Sequence, residues 1–253
     1  MKNNFEEYND PILYDIETKS FKEDIPFLSK FASRINGPII DLACGTGRAT
    51  IPLARKGHQL IGVDLHQGML IEAKRKASML QLSIDWFLQD CTKLRIPLKS
   101  NLIFSVGNSF QHFFSNEEQD GLLTSVNQHL EKDGLFIFNT RFPCEAELLQ
   151  PTTEEYWRTY VDPKTLGKVD VYTISSYDSL TQVQHYTTIR RRKDGDKVID
   201  DKRTNISLRY VFPKEMDRIL SSNGFEIVNV YEDWNETPLS RESTQMIYVC
   251  KKR

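Results

Sequence analysis

Two glycines and an aspartate stand at spacings that suit a small organic cofactor. Residues Asp41 to Thr50 read Asp-Leu-Ala-Cys-Gly-Thr-Gly-Arg-Ala-Thr, follow the apolar run Pro38-Ile39-Ile40 and lead into the helical pattern Ile51-Pro52-Leu53-Ala54-Arg55. A strand that passes through a glycine turn into a helix aims backbone N–H groups at a ligand beyond the strand end. Gly45 and Gly47 omit the Cβ atoms that would hold such a ligand away. The next strand-like run, Gln59 to Val63, ends in Asp64, nineteen residues after Gly45. That is about the spacing at which an acidic side chain takes the hydroxyls of a ribose. Thr50 stands where a dinucleotide fingerprint has its third glycine, which favours a nucleoside cofactor without phosphates over a pyrophosphate. His112 follows a later strand, at the edge where open α/β sheets bind ligands. An imidazole with an ordinary pKa of about 6.5 suits a general base; the other reading is that His112 orders the loop or packs beside Phe110 and Phe113.

These side chains need elements to hold them. Strand-like runs at 38–42, 59–63, 84–88, 101–106 and 134–140 alternate with helical patterns at 47–56, 68–80 and 116–130. Such alternation predicts a parallel sheet with helices on both faces. Lys132-Asp133-Gly134 reads as a helix stop and turn before the fifth strand. Before this core, residues 1–36 read as a helical cap in which Phe21, Ile25, Leu28, Phe31 and Ala32 recur at helical spacing. After it, residues 143–212 carry strand-like runs at 168–177, 181–192 and 197–211 without helices between them, with Asp194-Gly195 as a two-residue hairpin turn. This predicts an antiparallel insertion. Pro213 then opens a helix ended by Asn223-Gly224, and strands at 225–232 and 243–251 follow. The predicted organisation is a cap at 1–36, a cofactor-binding core at 37–142, the insertion at 143–212, and 213–253 completing the core sheet.

Composition narrows the function classes. The 253 residues carry a net charge of −2, with 39% hydrophobic and 27% charged residues, as in ordinary soluble proteins. No basic field for nucleic acid is expected, nor a membrane span, because no apolar run approaches about 18 residues. The polar start Met-Lys-Asn-Asn-Phe-Glu-Glu lacks the apolar centre of a signal peptide. Cys44, Cys91, Cys144 and Cys250 are scattered, form no Cys-x-x-Cys pair and read as reduced thiols, so a cytoplasmic protein is expected. No His, Asp or Glu set has the spacing of metal ligands. His58, His66, His129 and His185 read as solvated, as does the run Arg190-Arg191-Arg192-Lys193. Six of the ten tyrosines lie between 156 and 210, where they either fill sheet faces or form an aromatic wall for a substrate. Arg141 suits either an anionic substrate group or a salt bridge.

The glycine loop with its flanks, DLACGTGR and GVDLHQGML, together with LQDCTKL (88–94) and SVGNSFQHF (105–113), resembles the class I S-adenosylmethionine-dependent methyltransferases. With DPILYDIET near the start and RYVFPKEMDRILSSNGFEIVNVYEDW near the end, the whole chain resembles the small-molecule, methyltransferase domain 25-like bacterial branch. The resemblance implies a Rossmann-like, doubly wound seven-stranded sheet with an antiparallel last strand, and an insertion that forms a substrate-covering lid. It implies S-adenosyl-L-methionine as cofactor. Asp41, Ala43, Gly45 and Gly47 would line its methionine end, with the backbone of Val106 facing the ammonium. Asp64 would bind the ribose, Leu65 and Met69 would pack on the adenine, and Asp90 with the Cys91 backbone would meet the adenine amino group. Tyr14 would reach over the cofactor or the reacting centre, which makes Tyr14 and His112 the catalytic candidates. Asn101 departs from the acidic residue that often begins the fourth strand of that family.

The resulting expectation is methyl transfer to nitrogen or oxygen of a small metabolite. The alternatives are a non-catalytic cofactor-binding or regulatory protein, a nucleic-acid methyltransferase and a nicotinamide oxidoreductase. The nucleic-acid methyltransferase expects an Asn/Asp-Pro-Pro-aromatic segment after the fourth strand, where this chain has Gly107-Asn108-Ser109-Phe110, or a nucleophilic Pro-Cys, where Pro143-Cys144 follows the fifth strand instead.

Overall fold

The computed structural model describes residues 4–162, 165–195 and 197–253. A 3-10 turn, Glu6–Tyr8, precedes α1 (Pro11–Thr18) and α2 (Asp24–Ala32). Asp10 caps α1 by accepting from the Leu13 N–H at 3.0 Å, and Pro11 takes the first-turn position where its missing N–H costs nothing. Then come β1 (Ile39–Leu42), α3 (Thr50–Arg55), β2 (Leu60–Asp64), α4 (Gln67–Met79), β3 (Asp85–Leu88), β4 (Ser100–Ser105), α5 (Asn116–His129) and β5 (Leu130–Arg141). The short α6 (Glu145–Leu148) leads to β6 (Glu155–Val161), β7 (Lys168–Asp178), β8 (Val183–Asp194) and β9 (Lys197–Arg209). The chain closes with α7 (Pro213–Ser222), β10 (Phe225–Tyr231) and β11 (Gln245–Lys252).

Two sheets result. The seven-stranded sheet has the order β10-β11-β5-β4-β1-β2-β3, and the second sheet runs β6-β7-β8-β9. β1 pairs in parallel with both β2 and β4, whereas β11 lies antiparallel between β5 and β10. The central strand β1 is buried at every position, as a strand covered on both faces must be. One face packs on Leu122 and Val126 of α5 and Met216 and Leu220 of α7; the other packs on Phe27 and Leu28 of α2 and Leu53 of α3. A capping box on Ser115 and Glu118 starts α5, so its apolar stripe meets the sheet in register.

Several local readings are corrected. Phe21 lies before α2 and is 54% exposed, because the helix begins at Asp24. The Lys132-Asp133-Gly134 turn sits inside β5: Leu130 pairs with Ser100 and Leu135 with Leu102, and the excess residues bulge at Asp133, whose φ is 62°. β6 was not foreseen as a strand. At the β8–β9 hairpin the last pair joins Asp194 to Lys197, so the turn begins at Gly195, one residue later than Asp194-Gly195 suggests; residue 196 lies outside the described residues. The basic run is solvated only in part: Lys193 is exposed and Arg190 is buried. Strand alternation turns Arg190 inward, where its side chain is 6% exposed, while Arg191 pairs on the other face with Glu154 and Asp201. His129 is buried as well, bridging the Ser125 carbonyl at 2.8 Å and the Ile96 N–H at 3.2 Å.

Candidate functional site

A cavity opens beyond the C-terminal ends of β1, β2 and β4. Ala43 and Gly45 form one side, Asp64, Leu65, His66 and Met69 a second, Cys91 lies between them, and Gly107, Ser109 and His112 come from the loop after β4. The roof is the N-terminal segment: Asn4, Phe5, Tyr8 and Tyr14. The backbone is shaped for this. Ala43 at φ 53° and Gly45 at φ 55° turn the chain sharply off β1, and Gly107 and Asn108 adopt left-handed conformations in succession. Asn139 on β5 holds that second turn: its Oδ1 accepts the Asn108 N–H at 3.1 Å and its Nδ2 donates to the Asn108 side chain at 2.8 Å.

Asp64 ends β2 with each carboxylate oxygen accepting one backbone N–H, from Gly45 and from His66, both at 2.7 Å. A carboxylate oxygen accepts more than one donor, so capacity remains for hydroxyls in the cavity. Burial raises the Asp64 pKa while the two N–H groups oppose it. Asp64 is not the cap of α4. His66 is, accepting the Met69 N–H through Nδ1 at 3.2 Å. His66 therefore belongs to the cavity wall instead of the solvated surface.

Asp41 lies behind the wall. Its Oδ2 accepts from Thr50, while Oδ1 is buried without a partner. Burial pushes its pKa up to about 8, with the Thr50 hydrogen bond opposing. An unpaired buried carboxylate oxygen behind a glycine turn fits a ligand that brings a cation or N–H donors. A Cβ on Gly45 would stand 3.4 Å from Met69 Cε and 4.0 Å from the Tyr14 ring, so that glycine faces the cavity. Gly47 does not. Its missing Cβ would lie 3.0 Å from Trp86 and 3.1 Å from Ile51, and the indole also fills the space above Gly62 on β2. Gly47 is thus explained by its φ of 79° and by tryptophan packing.

Of the expected site residues, Tyr14, Ala43, Gly45, Asp64, Leu65, Met69, Cys91 and His112 meet in the cavity; Asp41, Gly47, Asp90 and Val106 do not line it. Asp90 turns its Oδ1 onto the N–H and hydroxyl of Thr92. Val106 is buried, with its carbonyl accepting from Ser109. The Cys91 thiol is pushed up to about 12 by burial, so its contribution is shape and backbone, not nucleophilicity. His112 is held at both nitrogens, Nδ1 by Asn4 at 3.0 Å and Nε2 by Tyr8 at 2.9 Å. Burial lowers its pKa to about 4, which makes it a weak base.

Sequence reasoning missed Asn4, Phe5, Tyr8 and His66, and reached Gly107, Ser109 and Phe113 only as part of the stretch 105–113. His66 carried a signal, since it precedes a helix directly after Asp64. Asn4 and Tyr8 bond His112, more than a hundred residues away in the chain, and Phe5 packs edge-on against His66. The tyrosines of the second sheet form no single wall. Tyr186 and Tyr210 are buried with Arg141 and Glu147, whereas Tyr156 is 59% exposed. Arg141 donates to Glu147 and to Tyr186, both at 3.1 Å.

The comparisons with known proteins place the family and the fold. A methyltransferase domain model matches residues 39–134, which span β1 to the bulge of β5. The glycine/sarcosine N-methyltransferase of Aphanothece halophytica is 32% identical over 85% of this chain and 76% of its own length. The fold is that of an S-adenosylmethionine-dependent methyltransferase from Clostridium acetobutylicum (TM-score 0.79, 21% identity, 95% and 96% of the two chains). It is also that of the sugar N-methyltransferase KedS8 from Streptoalloteichus (TM-score 0.72, 15% identity, 94% and 91%). The chain belongs to the S-adenosylmethionine-dependent methyltransferases. It is an enzyme whose methyl donor is S-adenosylmethionine. Among the described residues no helix is long and apolar enough to cross a membrane.

Proposed function

We propose that this methyltransferase acts on a small metabolite, at nitrogen or oxygen, and that an amine nitrogen is the preferred acceptor. Bound in the cavity, S-adenosylmethionine supplies a methyl group already activated on a sulfonium. Asp64 takes the ribose hydroxyls through its free lone pairs. Leu65 and Met69 pack on the adenine beside the Cys91 backbone, and Asp90, which lies outside the cavity lining, offers the amino group the Oδ2 that Thr92 leaves free. Ala43 and Gly45 border the methionine end, with Val106 buried beside it, Asp41 acting on its positive charge from behind the wall, and Gly47 shaping the turn. Tyr14 closes the roof. The insertion at 143–212 serves as the lid over the acceptor, and 37–142 with 213–253 as the body that holds the cofactor.

Excluding water and aligning the reactants can supply roughly 7–11 kcal/mol of the barrier. The observation that carries the amine reading is His112: neutral, engaged at both nitrogens and buried, it offers no free base for stripping a hydroxyl. A neutral amine brings its own lone pair. The N-methylating relative that is 32% identical supports the same reading. The test is transfer of labelled methyl from S-adenosylmethionine to matched panels of small amines and alcohols. Turnover confined to amines is the expected result. Turnover confined to alcohols, or to RNA or DNA, would overturn the reading.

A further inference from the structure

The three side chains on the roof side of the cavity form a directed chain of hydrogen bonds, and the direction can be worked out. It starts at the second sheet. Asn4 lies beside Ser207 on β9; its Oδ1 accepts the Ser207 N–H at 2.8 Å and its Nδ2 donates to the Ser207 carbonyl at 2.6 Å. That two-point pairing leaves no doubt which end of the amide is nitrogen. The same Nδ2 reaches His112 Nδ1 at 3.0 Å, so Nδ1 accepts. A neutral imidazole carries one N–H, and here it must be on Nε2. Nε2 lies 2.9 Å from the Tyr8 hydroxyl oxygen, which therefore receives that proton as an acceptor. Tyr8 has no other hydrogen-bond partner among the described residues, and it lines the cavity. Its ring is fixed edge-on between Tyr14, at 5.8 Å, and His112, at 5.7 Å. A hydroxyl that accepts a hydrogen bond is polarised to donate a stronger one.

We propose that Asn4 and His112 are positioning residues for Tyr8: they turn the Tyr8 O–H into the cavity, where it donates to an oxygen of the bound cofactor. The proposal rests on reading the cavity as the S-adenosylmethionine site. It assigns His112 the opposite of base duty, since the imidazole gives its proton in a standing hydrogen bond and takes none. Burial supports this by keeping the ring neutral, with a pKa held down at about 4. It also ties the cofactor site to the second sheet, because Ser207 is what orients Asn4.

The first test reads the chain of bonds without any ligand. Nitrogen-15 correlation spectra of the free protein, with His112 assigned by its loss in His112→Gln, should show a neutral ring protonated at Nε2 at pH 7 and still neutral at pH 5. A ring protonated at Nδ1, or at both nitrogens, would overturn the proposal. The second test is calorimetric titration with S-adenosylhomocysteine. Tyr8→Phe keeps the ring and removes the donor, and should weaken binding about five- to tenfold, the worth of one hydrogen bond. Asn4→Ala should weaken binding in the Tyr8 background and add nothing in the Tyr8→Phe background, since it acts only through that hydroxyl. Unchanged affinity in Tyr8→Phe, or an equal loss from Asn4→Ala in both backgrounds, would overturn it. Wild-type protein that fails to bind at all would overturn the cofactor-site reading and this proposal together, which the spectra alone would not do.

Discussion

The floor and the roof of the cavity are built by different physics. The floor, from β1 to the start of α4, is local: Asp64 is anchored by the N–H groups of Gly45 and His66, and the left-handed residues Ala43 and Gly45 lie within one short turn. The roof is an N-terminal segment that the core barely touches in sequence. It is tied to the second sheet by charge. Arg190 on β8 donates to both oxygens of Glu17 at 2.9 Å, to Glu7 at 2.8 Å and to Thr204 at 2.7 Å, with its side chain only 6% exposed. Glu6 accepts from the Asn205 N–H at 2.8 Å, and Asn4 pairs with Ser207. The floor is preorganised by the backbone; the roof is held by ion pairs between segments nearly two hundred residues apart. A cavity assembled this way has one half held by its own backbone and one half held by the second sheet.

The largest expected effect breaks the roof alone. Among the described residues, Arg190→Met leaves Glu7 with only the Thr204 hydroxyl and Glu17 with only the longer Arg158 contact at 3.5 Å, and removing one partner of a buried ion network costs about 3–5 kcal/mol. Urea unfolding should show a loss of that order; a loss below about 1 kcal/mol would mean that the network is solvated and the roof is held otherwise. Asp41→Asn probes the floor. The folded-state pKa of Asp41, about 8, lies above its ordinary value of 3.8, so its contribution to stability is full below pH 4 and is lost as pH rises through 8. The asparagine variant should therefore gain on the wild type as pH rises from 4 to 8, by at least about 2 °C in Tm, the response to ~1 kcal/mol in a chain of this size. It should bind S-adenosylhomocysteine more weakly at the same time. Equal Tm differences at pH 5 and pH 8.5 would contradict the buried, unpaired carboxylate.

The smallest expected effect is on the pH dependence set by His112. Its folded-state pKa, about 4, lies below the ordinary 6.5, so the stability it contributes is present above pH 6.5 and lost as pH falls towards 4. His112→Asn should flatten the stability profile in that window. The kcat/KM profile of the wild type, by contrast, should show no ionisation of a histidine between pH 5 and 8, only that of the acceptor. An inflection near 6.5 that disappears in His112→Asn would restore the base role.

What was legible in the sequence follows the same division. The floor could be read because strand, turn and helix are neighbours in the chain: Gly45 and Asp64 sit at spacings that carry their own meaning, while Leu65 and Met69 came through the resemblance. The alternation that built the seven-stranded sheet is local too. Gly47 was read for the right turn and the wrong neighbour, because the indole of Trp86 comes from β3, where no spacing rule points at a glycine. The roof was legible only at Tyr14, and through resemblance. Tyr8 and Asn4 sit in a short polar segment with no periodicity, and their partners, His112 and Ser207, lie on the far side of the chain. Arg190 looked solvated because a run of four cations does not announce that strand alternation will send one of them inward to two carboxylates.

We propose that the cavity walled by Ala43, Gly45, Asp64 and Met69 holds the cofactor, with Asp64 on its ribose. The most direct test is calorimetric titration of wild-type and Asp64→Ala protein, each stripped of bound ligand, with S-adenosylhomocysteine. Loss of charge-assisted hydrogen bonds should weaken binding more than tenfold in the variant, against micromolar binding in the wild type, of order 10⁻⁶ M. Wild-type affinity in Asp64→Ala would contradict the account.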